Sequence, residues 1–299
     1  MKTLVYTDVD LSDKTTYRIG GPACYYAQPS GVDDIKECLA WALGRGAPVV
    51  VLGKGSNVLI SDVGWPGLVI DAGARFDRIS WDGPRALCCC GAPLGKLLRE
   101  MLDKGLKGIE HCAGIPGSVG GALVMNAGAY GHTVTECVTS VDYYDFGEKL
   151  VKTMPAEGLM AGYRRTVFST NRAIVLLCCF HFQPDPSGAA QETFRECIAK
   201  RKEKHPLDLP NCGSIFKNIP GQSTAASLIE KSGLKGFRFG GAEVSLKHAN
   251  FIVNRGSATA AHVRHCIVHI QKTVYEKQGV VLEPEVVFVG EFEEPLFKP

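Results

Sequence analysis

Gly53-Lys54-Gly55-Ser56-Asn57 follows an apolar run that ends at Leu52. In such a loop successive backbone N–H groups can point the same way, and a phosphate can approach with no side chain in between. The chemistry on offer is anion binding, of the kind that holds the pyrophosphate of a dinucleotide. It is not the Rossmann fingerprint: Val58 stands where the third glycine belongs, and Leu59 and Ile60 continue as strand instead of opening a helix. Read alone, an ordinary hairpin connection explains the loop better. A second segment changes that balance. Gly114-Ile115-Pro116-Gly117-Ser118-Val119-Gly120-Gly121, followed by Asn126-Ala127-Gly128, belongs to a stretch with six glycines between positions 114 and 131. Glycine is entropically costly to order, so this density implies that side chains would collide with a long ligand lying on the backbone. The interleaved Ile115, Val119, Leu123, Val124 and Met125 argue against a flexible surface loop.

Other chemistries are weaker. His262, His265 and His269 fall near one helix face without acidic or cysteine ligands close by, and read as a solvated face; no metal is expected. The 12 cysteines gather as Cys88-Cys89-Cys90 and Cys178-Cys179 inside apolar stretches, with no C-x-x-C pair, and read as reduced core thiols. A net charge of +2 calls for neither nucleic acid nor an anionic membrane as partner. With no apolar run near membrane-spanning length and no signal-peptide pattern, a cytoplasmic location is expected.

The elements that must position these loops alternate between helix and strand. The spacing predicts helices from Ser30 to Gly44, from Pro93 to Asp103 with Leu94, Leu97, Leu98 and Leu102 inward, from Ala189 to Lys204, and from a Thr259 cap to Lys277 with Gly279 as its stop. Strands are predicted at 48–52, 140–145, 174–182 and 280–289. The 299 residues suit two or three lobes, with a boundary near the turn Pro184-Asp185-Pro186-Ser187-Gly188.

The stretches VLGKGSNVLISD and GIEHCAGIPGSVGGALVMNAGAYG resemble the two FAD-binding segments of the UDP-N-acetylenolpyruvoylglucosamine reductase (MurB) family, and the resemblance runs from Thr15 almost to the C-terminus. It implies an α+β fold: a two-lobed FAD-binding domain of the vanillyl-alcohol-oxidase (PCMH) type over 1–183, with lobes of roughly 1–88 and 89–183. A connecting helix at 184–205 would lead to a C-terminal α/β substrate-binding domain at 206–299. The implied FAD-binding residues are Gly53, Lys54, Gly55, Ser56, Asn57, Gly114, Ile115, Pro116, Gly117, Ser118, Gly120, Gly121, Asn126, Ala127 and Gly128. NADPH is implied as co-substrate and a UDP-sugar as substrate, with the chain acting as a monomer.

Three further stretches resemble the family's catalytic ones: Gly162-Tyr163-Arg164-Arg165, Gly213-Ser214-Ile215-Phe216-Lys217-Asn218 and Leu282-Glu283-Pro284-Glu285-Val286. They carry over Arg164, Ser214 and Glu285. Adding hydride to an enolpyruvyl ether leaves negative charge on the neighbouring carbon and its carboxylate, which Arg164 could grip through two N–H groups. The resemblance gives the following proton to Ser214. Glu285 would either donate a hydrogen bond as a protonated carboxyl, the role that burial near a carboxylate favours, or orient Arg164. Tyr163, Lys217 and Asn218 are implied as substrate contacts, and Lys204 by a looser match.

With 49 positions between Arg164 and Ser214, the chain resembles the family's shorter type, which lacks an extra tyrosine-bearing loop. Cys212 reads either as a thiol whose alkylation blocks the site or, with the edge, as a buried inert thiol. The alternatives are another FAD-dependent sugar or alcohol oxidoreductase on the same cofactor fold, or a non-catalytic FAD-binding protein.

Overall fold

The computed structural model describes residues 3–170, 173–221 and 223–298. The chain divides into two compact units that alternate along the sequence: one holds residues 3–5, Ala27–Lys54 and Val69–Arg201, the other Tyr6–Tyr26, Gly55–Leu68 and residues 202–298.

The first unit is built on a five-stranded antiparallel sheet in the order Leu150–Pro155, Val138–Asp145, Ala173–His181, Arg85–Cys89, Ile79–Asp82. Alternation sets its inner face: in Ala173–His181, Ile174, Leu176, Cys178 and Phe180 are all buried. Cys178 lies directly across from Cys88 on the neighbouring strand, and the cysteine runs are apolar filler at the middle of this sheet. All 12 thiols are free. Burial pushes the Cys90 thiol up to about 12, as suits a reduced core residue.

Two helices of this unit fall close to their predicted bounds, at Val32–Leu43 and Leu94–Asp103. The second buries Leu94, Leu97, Leu98 and Met101. Met101, not the predicted Leu102, completes the stripe, because one residue along a helix turns the side chain by about 100°. The helix Ala189–Lys204 also matches its predicted span but buries only Ala190 and Cys197.

In the second unit, Arg238–Phe239, Ala242–Val244 and Ile252–Asn254 form a three-stranded antiparallel sheet. The helix Ala260–Gln278 packs on it, burying Val263, Cys266, Ile267, Ile270 and Val274. Thr259 caps the helix by accepting from the His262 N–H, and Gly279 ends it at φ +67°. The three histidines flagged on this helix are absorbed by the fold. His262 Nδ1 accepts the Thr259 N–H, His265 stacks on Phe239 at 3.8 Å, and His269 stacks on Phe237 at 4.0 Å.

The units differ from the partition expected of the sequence, and buried polar contacts give the reason. Tyr17 is fully buried among C-terminal residues, donates its hydroxyl to the Ile252 carbonyl at 2.9 Å, and accepts from Asn254 Nδ2 at its own carbonyl. Val58–Ile60 pairs in parallel with Val287–Val289. Residues 6–26 and 55–68 therefore pack with 202–298, and a lobe boundary at 88 would cut through the five-stranded sheet. The strand predicted at 280–289 is also shorter than expected, covering only Val287–Val289. Pro284 has no N–H to donate, and the chain before it makes a single bridge, Phe216 to Pro284.

Candidate active site

In the first unit the glycine-rich segment folds as a turn, Glu110–Cys112, then a loop, then the six-residue helix Val119–Val124. Ser118 is its N-cap and accepts from the Gly121 N–H. Several glycines here answer to protein atoms. A Cβ on Gly120 would lie 2.6 Å from Cys90 Cβ, one on Gly53 2.0 Å from Ser118 Oγ, and one on Gly128 2.1 Å from the His132 carbonyl oxygen. At these positions the glycine density reflects close packing against other protein atoms, where the sequence reading invoked a ligand. Gly114 and Gly117 differ: they adopt φ +76° and +141°, conformations that side chains rarely take.

Lys54 reaches back to the Gly73 carbonyl at 2.6 Å. The Val119 and Gly120 N–H groups donate to the Ala92 and Cys90 carbonyls, both at 2.8 Å, and Ile115 N–H donates to Cys112. Of the other expected residues in this segment, Ala127 donates its N–H to Ala122, and Pro116 is exposed.

Asn126, 4% exposed and at φ +42°, is the hub of this region. Its Nδ2 donates to the Gly162 carbonyl at 3.0 Å, and its Oδ1 accepts from the Thr135 hydroxyl at 2.7 Å. Gly162 opens a tight turn closed by paired Gly162–Arg165 backbone bonds, with Tyr163 and Arg164 at its tip. Arg164 sits at φ +55°, unusual for a non-glycine residue and often found where a site fixes the backbone. Its Nη2 donates to the Gly128 carbonyl at 3.1 Å, and its guanidinium lies 5.2 Å from the Tyr163 ring centroid. The unit thus brings Tyr163 and Arg164 together with Asn126 and Gly128.

Two residues here escaped the sequence reading. Thr135 is one. The other is Arg201, whose Nε donates to the Ala113 carbonyl at 2.8 Å while its side chain lies over Gly114. Burial lowers its pKa, and the Arg164 charge acts in the same direction. The signal was present in the stretch Arg201-Lys202-Glu203-Lys204-His205-Pro206, from which Lys204 alone was chosen; Lys204 is exposed.

In the second unit Ser214 and Glu285 are aligned by backbone. Glu285 N–H donates to the Ile215 carbonyl at 2.7 Å, and Lys217 N–H donates to Glu283 at 2.9 Å. Asn57 Nδ2 then holds the Glu285 carbonyl at 3.1 Å. Ser56, the residue before it, is half-buried, and Gly55 takes φ +59° with the Lys14 carbonyl where a Cβ would stand. Asn57, one of the residues expected to bind cofactor, thus braces the chain at Glu285.

Ser214 is half-buried, and the segment behind it is held from the other side by Asn250. Asn250, 4% exposed, accepts the Phe216 N–H at Oδ1 and returns Nδ2 to the Phe216 carbonyl, at 3.0 and 2.8 Å. Its own carbonyl accepts the Ile215 N–H. A single side-chain amide thus stands in for a neighbouring strand. Sequence reading placed Asn250 in a stretch read as packing, which gave no sign of this clamp. Cys212 is 2% exposed and burial raises its thiol pKa, so it is the inert form. Lys217 pairs with Glu283 at 2.5 Å, and Asn218 Oδ1 accepts the Ala225 N–H.

Comparison with known proteins fits both halves of this description. Residues 23–153 match the FAD binding domain family, and residues 205–289 match the UDP-N-acetylenolpyruvoylglucosamine reductase C-terminal domain family. The solvent-stable cholesterol oxidase has a TM-score of 0.50 over 61% of this chain and 38% of its own, at 17% identity, which is a likeness of fold. The fold is a vanillyl-alcohol-oxidase-type FAD-binding domain joined to a C-terminal α/β domain, and it defines an FAD-dependent oxidoreductase.

The particular family follows from closer relatives. UDP-N-acetylenolpyruvoylglucosamine reductases of Synechococcus sp. (strain JA-3-3Ab) and Caldicellulosiruptor bescii are 39% and 40% identical to it, each over 98% of this chain and 93% of the relative. The crystal structure of UDP-N-acetylenolpyruvylglucosamine reductase (MurB) from Thermus caldophilus superposes with a TM-score of 0.80 at 31% identity, covering 97% of this chain and all of that one. The chain belongs to the UDP-N-acetylenolpyruvoylglucosamine reductase family.

Proposed function

We propose that this protein uses NADPH to reduce UDP-N-acetylglucosamine enolpyruvate to UDP-N-acetylmuramate, a step in making peptidoglycan precursors. The observation that carries the reading is the placement of Arg164: a permanently charged group in a left-handed turn, tied to the glycine-rich segment through Gly128.

FAD, when bound, supplies the hydride that NADPH has delivered to it. The residues present fit that cofactor. Because the Val119 and Gly120 N–H groups are committed to Ala92 and Cys90, binding of the pyrophosphate in this unit falls to Gly114, Gly117 and Ser118. Gly53 and Lys54 are the residues of the other glycine loop assigned to the cofactor, and Gly55, Ser56 and Asn57 follow them in sequence.

Arg164 grips the enolpyruvyl carboxylate and stabilises the charge that develops on it as hydride reaches the terminal methylene carbon. Arg201, nearby in the same unit, adds positive potential. Ser214 donates its hydroxyl proton to the neighbouring carbon, completing addition of one hydride and one proton across the double bond. Glu285, fixed by Ile215 and Asn57, orients the enolate. Tyr163, Lys217, Asn218 and Lys204 contact the sugar nucleotide. The protein works as a cytoplasmic monomer without nucleic acid or membrane; among the described residues no helix is long and apolar enough to cross a membrane.

The test is NADPH oxidation that depends on UDP-N-acetylglucosamine enolpyruvate, with UDP-N-acetylmuramate formed in equal amount. NADPH consumption that ignores the sugar nucleotide would remove the proposed substrate.

A further inference from the structure

His111, His132 and Glu136 meet in the first unit beside the glycine-rich segment, and none of the three has a role above. His111 lies in the turn just ahead of Gly114, whereas His132 and Glu136 follow Gly128. One ligand atom from each of the three lies within 4.8 Å of the other two. His111 is 6% exposed, and its Nε2 is buried with no hydrogen-bond partner among the described residues. A buried imidazole nitrogen left in that state is costly, so something is expected to satisfy it.

The surroundings are arranged like a ligand set. The His132 ring stacks on His111 with centroids 4.3 Å apart, and its Nδ1 lies 3.1 Å from Glu136 Oε2. The other carboxylate oxygen, Oε1, accepts the Thr133 N–H at 2.7 Å. That bond fixes the carboxylate and leaves Oε2 toward the histidines, the outer support that ligating carboxylates usually have.

We propose that His111, His132 and Glu136 form a binding site for a borderline divalent cation, with Zn²⁺ the best match. Two imidazoles and one carboxylate are donors that suit zinc and its neighbours, while Mg²⁺ and Ca²⁺ prefer oxygen alone. The exposed His132 turns its ring from Glu136 to present a nitrogen to the ion, and water takes the fourth position. The bound ion would clip the turn at 110–112 to the turn at 134–137, and so join the two ends of the glycine-rich segment.

The flavin-loaded enzyme, stripped of metal, would be titrated with Co²⁺ and then Zn²⁺. The expected result is a visible ligand-field band that saturates at one equivalent and disappears on adding Zn²⁺. His132→Ala and Glu136→Gln, both at exposed positions, should each weaken binding at least about tenfold. Zn²⁺ should raise the Tm of the wild type and leave that of His132→Ala unmoved. Three results would each overturn the proposal: no cobalt band in the wild type, a thiolate charge-transfer band marking a cysteine site, or wild-type affinity in His132→Ala.

Discussion

Arg164 Nη2 donates to the Gly128 carbonyl at 3.1 Å, so the charged group at the tip of the 162–165 turn is fastened to the end of the glycine-rich segment. The turn itself hangs on Asn126 through the Gly162 carbonyl. The position of the guanidinium thus depends on a local network rather than on a flexible side chain alone. Replacing it by lysine keeps the charge and loses the planar fork. Arg164→Lys should lower kcat about 10²–10³-fold, the scale of losing a preorganised donor, while anaerobic reduction of the flavin by NADPH stays near wild type. Steady-state and half-reaction rates measured side by side check this; an unchanged kcat would remove Arg164 from the reacting centre.

Asn250 makes a second prediction, because it holds Phe216 by both N–H and carbonyl two residues beyond Ser214. Asn250→Ala strands two buried backbone groups and should destabilise the protein by about 2–6 kcal/mol, at roughly 1–3 kcal/mol each. Asn250→Asp keeps the acceptor and should recover part of that loss. If Asn250 also positions Ser214, the aspartate variant should show kcat reduced more than KM is changed. Denaturant titration together with kinetics separates the two effects.

Gly120 is constrained by Cys90, not by open space, with 2.6 Å between a built Cβ and Cys90 Cβ. Gly120→Ala should therefore cost about 1–3 kcal/mol as an overpacked core site. A compensating Cys90→Ala removes the sulfur but not the Cβ, so it should rescue only part of the loss. Thermal denaturation of the single and double variants measures it; a neutral Gly120→Ala would refute the packing explanation.

His248 predicts a pH dependence. Its pKa is lowered, first by burial and then by Lys235 and Lys204, and its Nδ1 is buried without a hydrogen-bond partner among the described residues. Glu230 opposes the shift, and the His205 and Phe251 rings pack against it. The folded state therefore binds this proton less readily than the unfolded chain. The stability associated with neutral His248 is fully present above the ordinary histidine range, near pH 6.5, and is lost as pH falls through the lower folded value. Tm should drop on acidification below about pH 6.5, and His248→Asn should flatten that part of the profile.

Much of the fold was legible because it rests on local rules. Thr259 and Gly279 mark the ends of their helix by capping chemistry, and the buried stripe of Leu94, Leu97 and Leu98 follows from helical spacing. What was not legible is long-range. Nothing in residues 6–26 says that Tyr17 will be buried beside Ile252, 235 positions away, so the sequence partition and the compact units differ. The strand at 280–289 alternates correctly but is interrupted by Pro284, which its pattern does not weigh.

The site divides in the same way. Glycine-rich runs announce a site, yet Gly53, Gly120 and Gly128 owe their identity to Ser118, Cys90 and His132, which only the folded backbone brings close. Arg164, Ser214 and Glu285 came from family resemblance. Thr135, Asn250 and Arg201, by contrast, are set by backbone carbonyls and distant side chains, to which residue spacing gives no clue.

The central claim is that this enzyme passes hydride from NADPH through FAD to an enolpyruvyl sugar nucleotide, and an anaerobic spectral titration tests it most directly. The flavin should bleach with NADPH, and its colour should return when UDP-N-acetylglucosamine enolpyruvate is added. A flavin that bleaches and stays bleached in the presence of that compound would contradict the account.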